Sequence, residues 1–104
     1  MNEFYEIMVP TTIFNESAEE ALIDEIRRMV KVALAKAFGG CTETEGRGSF
    51  LSASGELIEE TVYQIKTFFS EPNDELVKSL AETIKVRMSQ ESVMVVKNGK
   101  VEFI

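Results

Sequence analysis

Apolar side chains alternate from Phe4 to Val9, with Tyr5, Ile7 and Val9 on one side and Phe4 and Met8 flanking Glu6 on the other. That period of two predicts a strand. Pro10 has no N–H for a ladder and suits its end. The period then becomes helical: Leu22, Ile26, Met29 and Ala33 recur on one stripe, flanked by Ile23, Val30 and Ala37. Ser17-Ala18-Glu19-Glu20 reads as a capping box opening this helix, the Ser17 hydroxyl accepting from the Glu20 amide. Gly39-Gly40 stops it. Thr42 to Phe50 reads as a polar strand, with threonines on one side and Glu43 and Glu45 on the other, which suits a sheet edge. Gly46 and Gly48 within it predict a bulge or a close backbone approach. Leu57 to Phe69 is apolar on both faces, as a central strand would be. Pro72-Asn73-Asp74 opens a second helix capped by Asn73, with Leu76, Leu80, Ile84 and Met88 facing inward, helped by Val77 and Ala81. Val93 to Val96 reads as a last core strand. Asn98-Gly99 predicts a type I′ turn that folds Val101 to Ile104 back as a short extra strand.

The order of elements is β-α-β-β-α-β, which predicts an α+β, ferredoxin-like two-layer sandwich with an extra C-terminal hairpin strand, one domain over 1–104. The expected sheet is antiparallel with strands in the order fourth, first, third, second, and both helices on one face. The polar second strand then falls at an edge. The expected core is Ile7, Leu22, Ile26, Met29, Tyr63, Ile65, Leu80 and Ile84.

Two apolar sets on the two sides of the sheet change the picture. The helices are expected to cover one side, and Tyr5, Ile7, Val9, Tyr63, Ile65 and Phe69 make one apolar set. The other side presents Phe4, Met8, Ile58, Val62 and Phe68, interrupted by Glu6, Glu60, Gln64 and Lys66. A monomer rarely leaves such a patch open, so these five residues are expected to form a homodimer interface. The alternative is that residues 101–104 fold over this side.

Composition excludes several chemistries. The chain has 104 residues and a net charge of −7, with seven acidic residues (Glu3, Glu6, Glu16, Glu19, Glu20, Asp24, Glu25) before the first basic one, Arg27. Phosphate backbones need clustered Lys and Arg, so no direct nucleic-acid partner is expected. A basic protein partner is compatible with the acidity. There is no histidine and one cysteine, Cys41. The commonest base and metal ligand is missing, so no metal site and no cofactor are expected. Cys41 has no histidine to activate it and reads as a packing thiol. No apolar run reaches membrane-spanning length, and the first residues lack a signal-peptide pattern. A cytoplasmic location without membrane association is expected.

The segment from Gly40 to Glu60 reads Gly40-x-Thr42, Gly46-x-Gly48-x-Phe50, then Gly55-x-x-x-x-Glu60, with Glu91-Ser92-Val93 later. It resembles a bacterial family of short proteins of unknown function that share Gly-x-Thr, Gly-x-Gly-x-Trp and a Gly followed by Glu at the same spacings, with Phe50 here in place of Trp, and a closing Glu-Ser-Val. The resemblance implies no assigned activity.

Candidate ligand contacts are Thr42, Gly46, Arg47, Gly48, Glu59 and Tyr63. Gly46-Arg47-Gly48 can offer backbone N–H groups and a guanidinium to an anion. Glu43, Glu45, Glu59 and Glu60 are the carboxylates that apolar neighbours on the sheet can tune for proton transfer. No constellation of catalytic residues is legible. The leading functional reading is a non-enzymatic interaction module that self-associates through its sheet. The second is a small-molecule-binding or catalytic domain. The third is an acidic inhibitor from a mobile element that occupies a basic surface of a larger protein.

Overall fold

The computed structural model describes residues 2–14 and 16–104. Its elements are β1 (Glu3–Val9), β2 (Thr12–Ile13), β3 (Glu16–Ser17), α1 (Glu20–Phe38), β4 (Thr42–Leu51), β5 (Leu57–Phe69), α2 (Asp74–Arg87), β6 (Met94–Lys97) and β7 (Lys100–Phe103). The main sheet has five strands in the order β4-β5-β1-β6-β7, with every neighbouring pair antiparallel. This is the expected fourth-first-third-second order, with the hairpin strand added outside the fourth. The architecture is α+β and ferredoxin-like.

The register places Tyr5, Ile7 and Val9 opposite Thr67, Ile65 and Tyr63. These positions, apart from the threonine, join Ile23, Ile26, Val30, Leu34, Val77, Leu80, Ala81, Ile84 and Met88 of the two helical segments in one core. Tyr5 stacks on Phe69 at 4.3 Å between ring centroids, with Phe38 tilted beside both. Both helices therefore cover the same side of the sheet, and the other side is open.

Three details of the expected packing change. The buried stripe of α1 is Ile23, Ile26, Val30 and Leu34, while Leu22 and Met29 are partly buried beside it. The helix is thus rotated by roughly one position from the predicted stripe, toward its larger branched residues. Tyr63, paired with Val9 at the last position of β1, is likewise only partly buried. The predicted capping box does not form: Glu19 is the N-cap without a side-chain bond. Ser17 is instead paired with Thr12 in the small β2–β3 hairpin, and the Ala18 amide donates to the Thr11 carbonyl at 2.8 Å. A residue held extended by a strand partner is unavailable as a cap.

Other local chemistry is as expected. Gly39 sits at φ 96° and its N–H donates to the Ala35 carbonyl, ending α1. Asn73 Oδ1 accepts from the Leu76 amide at 3.1 Å, capping α2. Asn98 and Gly99 have φ 51° and 85°, the signature of a type I′ turn. The β4–β5 pairing is regular from Thr42↔Lys66 to Leu51↔Leu57, so no bulge interrupts it. Gly46 and Gly48 instead leave room for Val62: a Cβ on either would lie within 3.8 Å of a Val62 methyl.

Candidate ligand cleft on the open side of the sheet

Side chains that do not face the helices meet on the open side. Phe4 and Phe68 are cross-strand partners in edge contact, with the Lys66 ammonium 4.2 Å from the Phe4 ring centre and 5.3 Å from that of Phe68. Val62, Ile58 and Met8 lie on the same side, and β7 adds Val101 and Phe103 opposite Val96 and Met94. The C-terminal residues therefore widen the open side instead of folding over it. Phe50, Phe68, Val101 and Phe103 remain exposed.

At the end of this surface, where β1 stops, lies a cleft of about 420 Å³ lined among others by Met8, Gly48, Phe50, Glu60, Val62 and Met94. It adjoins a wider groove of about 590 Å³ that shares Phe50, Glu60, Gln90 and Ser92 and adds Phe14. Glu60 belongs to both. Its position is built by the segment after β1: the Thr11 amide donates to Glu60 Oε2 at 3.3 Å and the Thr12 hydroxyl donates to the same oxygen at 2.6 Å. Oε1 has no protein partner among the described residues. The Thr11 hydroxyl donates to the Thr61 carbonyl at 2.6 Å, and Gln90 Nε2 donates to the Thr12 and Met88 carbonyls, both at 2.8 Å. The three segments around the cleft are thus tied together by directed bonds. Glu60 is thus a carboxylate held in place by two donors, with phenylalanine, methionine and valine side chains in the same lining.

The sequence-derived contacts do not gather there. Thr42, Gly46 and Gly48 lie on the open side; Arg47, Glu59 and Tyr63 lie on the helix side. Gly48 is the member of that set that lines the cleft. The backbone of Gly46-Arg47-Gly48 is ordinary ladder, and the Arg47 guanidinium lies 3.7 Å from Glu59. Tyr63 is covered by the Arg27 guanidinium, 3.8 Å above its ring. Arg27 also donates to both Glu43 oxygens at 2.9 and 2.6 Å, and Lys31 lies 3.3 Å from Oε1. These donors, Arg27 first, hold the Glu43 carboxyl below its ordinary range, so Glu43 is a fixed anion and not a tuned acid. Burial pushes the Cys41 thiol up, which makes it a poorer nucleophile. The signal that sequence reasoning missed was the Thr11-Thr12 pair after the Pro10 strand end, which selects Glu60 among the four candidate carboxylates.

A second, smaller cavity of about 250 Å³ lies on the helix side beside Tyr5, Asp74, Val95 and Lys97. The Tyr5 hydroxyl donates to Asp74 Oδ1 at 2.5 Å and accepts from the Asn73 amide at 3.0 Å, while Lys97 lies 2.9 Å from Asp74. Burial, and next the bond to Asp74, push the Tyr5 phenol up to about 12. The described polar groups of this cluster are mutually satisfied, and it pins α2 to the sheet.

No family model matches the chain, and no curated protein matches it by sequence. Solved structures do match. A phage SAM lyase in complex with S-methyl-5′-thioadenosine superposes with a TM-score of 0.71 at 20% identity, over 99% of this chain and 88% of that one. The same lyase in its apo state gives 0.71 at 20% identity, over 98% and 87%. The periplasmic divalent cation tolerance protein CutA from Archaeoglobus fulgidus gives 0.54 at 11% identity, over 93% and 81%. At these identities the likeness is one of fold. No helix among the described residues is long and apolar enough to cross a membrane.

Proposed function

We propose that this protein binds S-adenosylmethionine in the cleft around Glu60 and cleaves it to release S-methyl-5′-thioadenosine. The observation that carries this reading is the Glu60 carboxylate, fixed by Thr11 and Thr12 against aromatic and apolar walls. The lyase-like fold over nearly the whole chain supports it, and so does the convergence of Gly48, Phe50, Glu60 and Ser92 on one cleft.

The chemistry suits a chain without histidine. As the substrate's own carboxylate oxygen bonds to its γ-carbon and closes a lactone, the electron pair of the breaking C–S bond goes to sulfur, so the sulfonium leaves as a neutral thioether and no proton has to be delivered to the leaving group. The protein must bind the cation and shed its water. Glu60 supplies the attraction. The apolar walls disfavour the charged ground state relative to a transition state in which the sulfur charge is disappearing.

The test is incubation with S-adenosylmethionine, chromatography for S-methyl-5′-thioadenosine, and calorimetric titration with both compounds. Product should form well above the uncatalysed blank, and Glu60→Gln should lower the rate at least tenfold. No product and no binding heat would overturn the reading.

Self-association through the open side is a second proposal, compatible with the first. Phe4, Met8, Ile58, Val62 and Phe68 do lie together there, and Val101 and Phe103 extend them. A two-fold dimer across this surface would bury its exposed rings. The acidic-inhibitor reading has less to rest on, since Asp24 pairs with Arg27 and Glu25 with Arg87.

A further inference from the structure

We infer that Phe14 and Phe50 form an aromatic clamp that selects ligands carrying a planar heterocycle, with Phe14 the specificity-determining half. This rests on the reading of the Glu60 cleft as a small-molecule site and names the part of the ligand that its groove holds.

Phe14 is 83% exposed, the highest value among the described large apolar side chains. Its neighbour Ile13 packs against the core, so the turn after β2 buries one apolar side chain and holds the next one out. The backbone of Phe14 has φ 50°, a region that bulky residues avoid. Such conformations persist only where the surroundings impose them, and they concentrate at ligand sites. Here the surroundings do impose it. The base of this small hairpin is fastened by the Thr11–Thr61, Thr12–Glu60, Gln90–Thr12 and Ala18–Thr11 hydrogen bonds. A second residue of left-handed backbone, Ser89 at φ 49°, lines the same groove.

The composition of the groove identifies the occupant. Phe14 and Phe50 come from different segments, and apart from Leu51 and Ala53 beside Phe50 the rest of the lining is polar, with Thr12, Ser52, Glu60, Gln90 and Ser92 among it. An apolar protein surface would leave these polar groups desolvated and poorly paired. A heterocycle offers a face to the phenylalanines and ring nitrogens to the polar rim. The volume of about 590 Å³ lies in the range of small-molecule sites. Glu60 stands where the ring's cationic substituent would sit.

The experiment is calorimetric titration of S-adenosylmethionine and of adenosine, which has the ring but no cation, into the wild type, Phe14→Ala, Phe14→Tyr and Glu60→Gln. Stacking on one aromatic ring corresponds to roughly 5- to 150-fold in affinity. Phe14→Ala should therefore weaken both ligands by a similar factor in that range. Phe14→Tyr should restore both, and Glu60→Gln should weaken S-adenosylmethionine alone. Far-UV circular dichroism should be unchanged for Phe14→Ala, because the ring is not packed. If the wild type binds S-adenosylmethionine and Phe14→Ala binds it equally well, the clamp is overturned while the site stands. If Phe14→Ala instead lowers the molar mass in solution with affinities unchanged, a second copy covers Phe14 and the clamp is overturned. If the wild type binds neither ligand, the site and the clamp both fall.

Discussion

Replacing Tyr5 by phenylalanine removes a single oxygen from the junction of β1 and α2. The Tyr5 ring, 1% exposed, keeps its packing on Phe38 and Phe69, so no cavity opens. What is lost is the bond donated to Asp74 and the acceptor for the Asn73 amide. Asp74 is largely exposed, so its charge is screened by water and the loss is that of an ordinary hydrogen bond, about 0.5–1.5 kcal/mol net. In a domain of this size each kcal/mol moves the melting temperature by roughly 4–8 °C, so Tyr5→Phe should melt roughly 2–12 °C lower near neutral pH. The pH dependence tests the cause. Tyr5 first and Lys97 next hold Asp74 below its ordinary value. A depressed carboxyl contributes stability above its unfolded value, about 3.9, and loses it as pH falls through the folded value. The gap between wild type and variant should therefore be constant from about pH 4 to about pH 10 and narrow below about pH 4. At the alkaline end the phenol is pushed up to about 12. A raised acid contributes stability that is complete below its unfolded value, about 10, and lost as pH rises toward the folded one. Wild type should weaken across that window by an amount that Tyr5→Phe does not show. Thermal unfolding followed by far-UV circular dichroism across pH decides it. Equal melting temperatures near pH 7, or a gap that widens in acid, would refute the reasoning.

Ile84→Ala should cost about 2–5 kcal/mol, since Ile84 is fully buried in the core; denaturant unfolding measures it, and a midpoint within error of wild type would show that α2 packs otherwise. Gly99→Val should lower the melting temperature because a β-branched residue resists φ 85°; Gly99→Asn, which tolerates that region, should lower it less, and the reverse order would contradict the turn. Val62→Glu should give monomers by light scattering if the open side self-associates, since apposed carboxylates would be desolvated; a wild-type mass near 11.7 kDa that does not change on dilution would exclude the association.

The sheet was legible because each strand carries its position in its polarity: Glu43 and Glu45 mark the edge, and the segment from Leu57 to Phe69, with apolar residues on both faces, marks the centre. Asn98-Gly99 and Asn73 were legible because a turn and a cap are decided within four residues. The α1 stripe was misjudged because Leu22-Ile23 and Met29-Val30 offer two adjacent faces of similar hydropathy. Only the sheet decides between them. Ser17 failed as a cap because its strand partner, Thr12, is supplied by a two-residue pairing too short to leave a periodic signal. The cleft was the least legible feature. Glu60 is distinguished from Glu59 only by strand parity and by Thr11 and Thr12, about fifty residues earlier. No local pattern encodes that meeting.

The placement of the two tyrosines has a practical side. The chain has no tryptophan, and its two tyrosines both point toward the helices, one against Phe38 and Phe69 and the other beneath Arg27. Near-ultraviolet absorbance and intrinsic fluorescence are therefore reporters of the helix–sheet seam, and they are blind to whatever arrives on the opposite side. A ligand in the groove or a second copy on the sheet would pass unseen in a conventional fluorescence titration. A tryptophan in place of Phe50 would give that side a chromophore of its own and make occupancy visible in a cuvette.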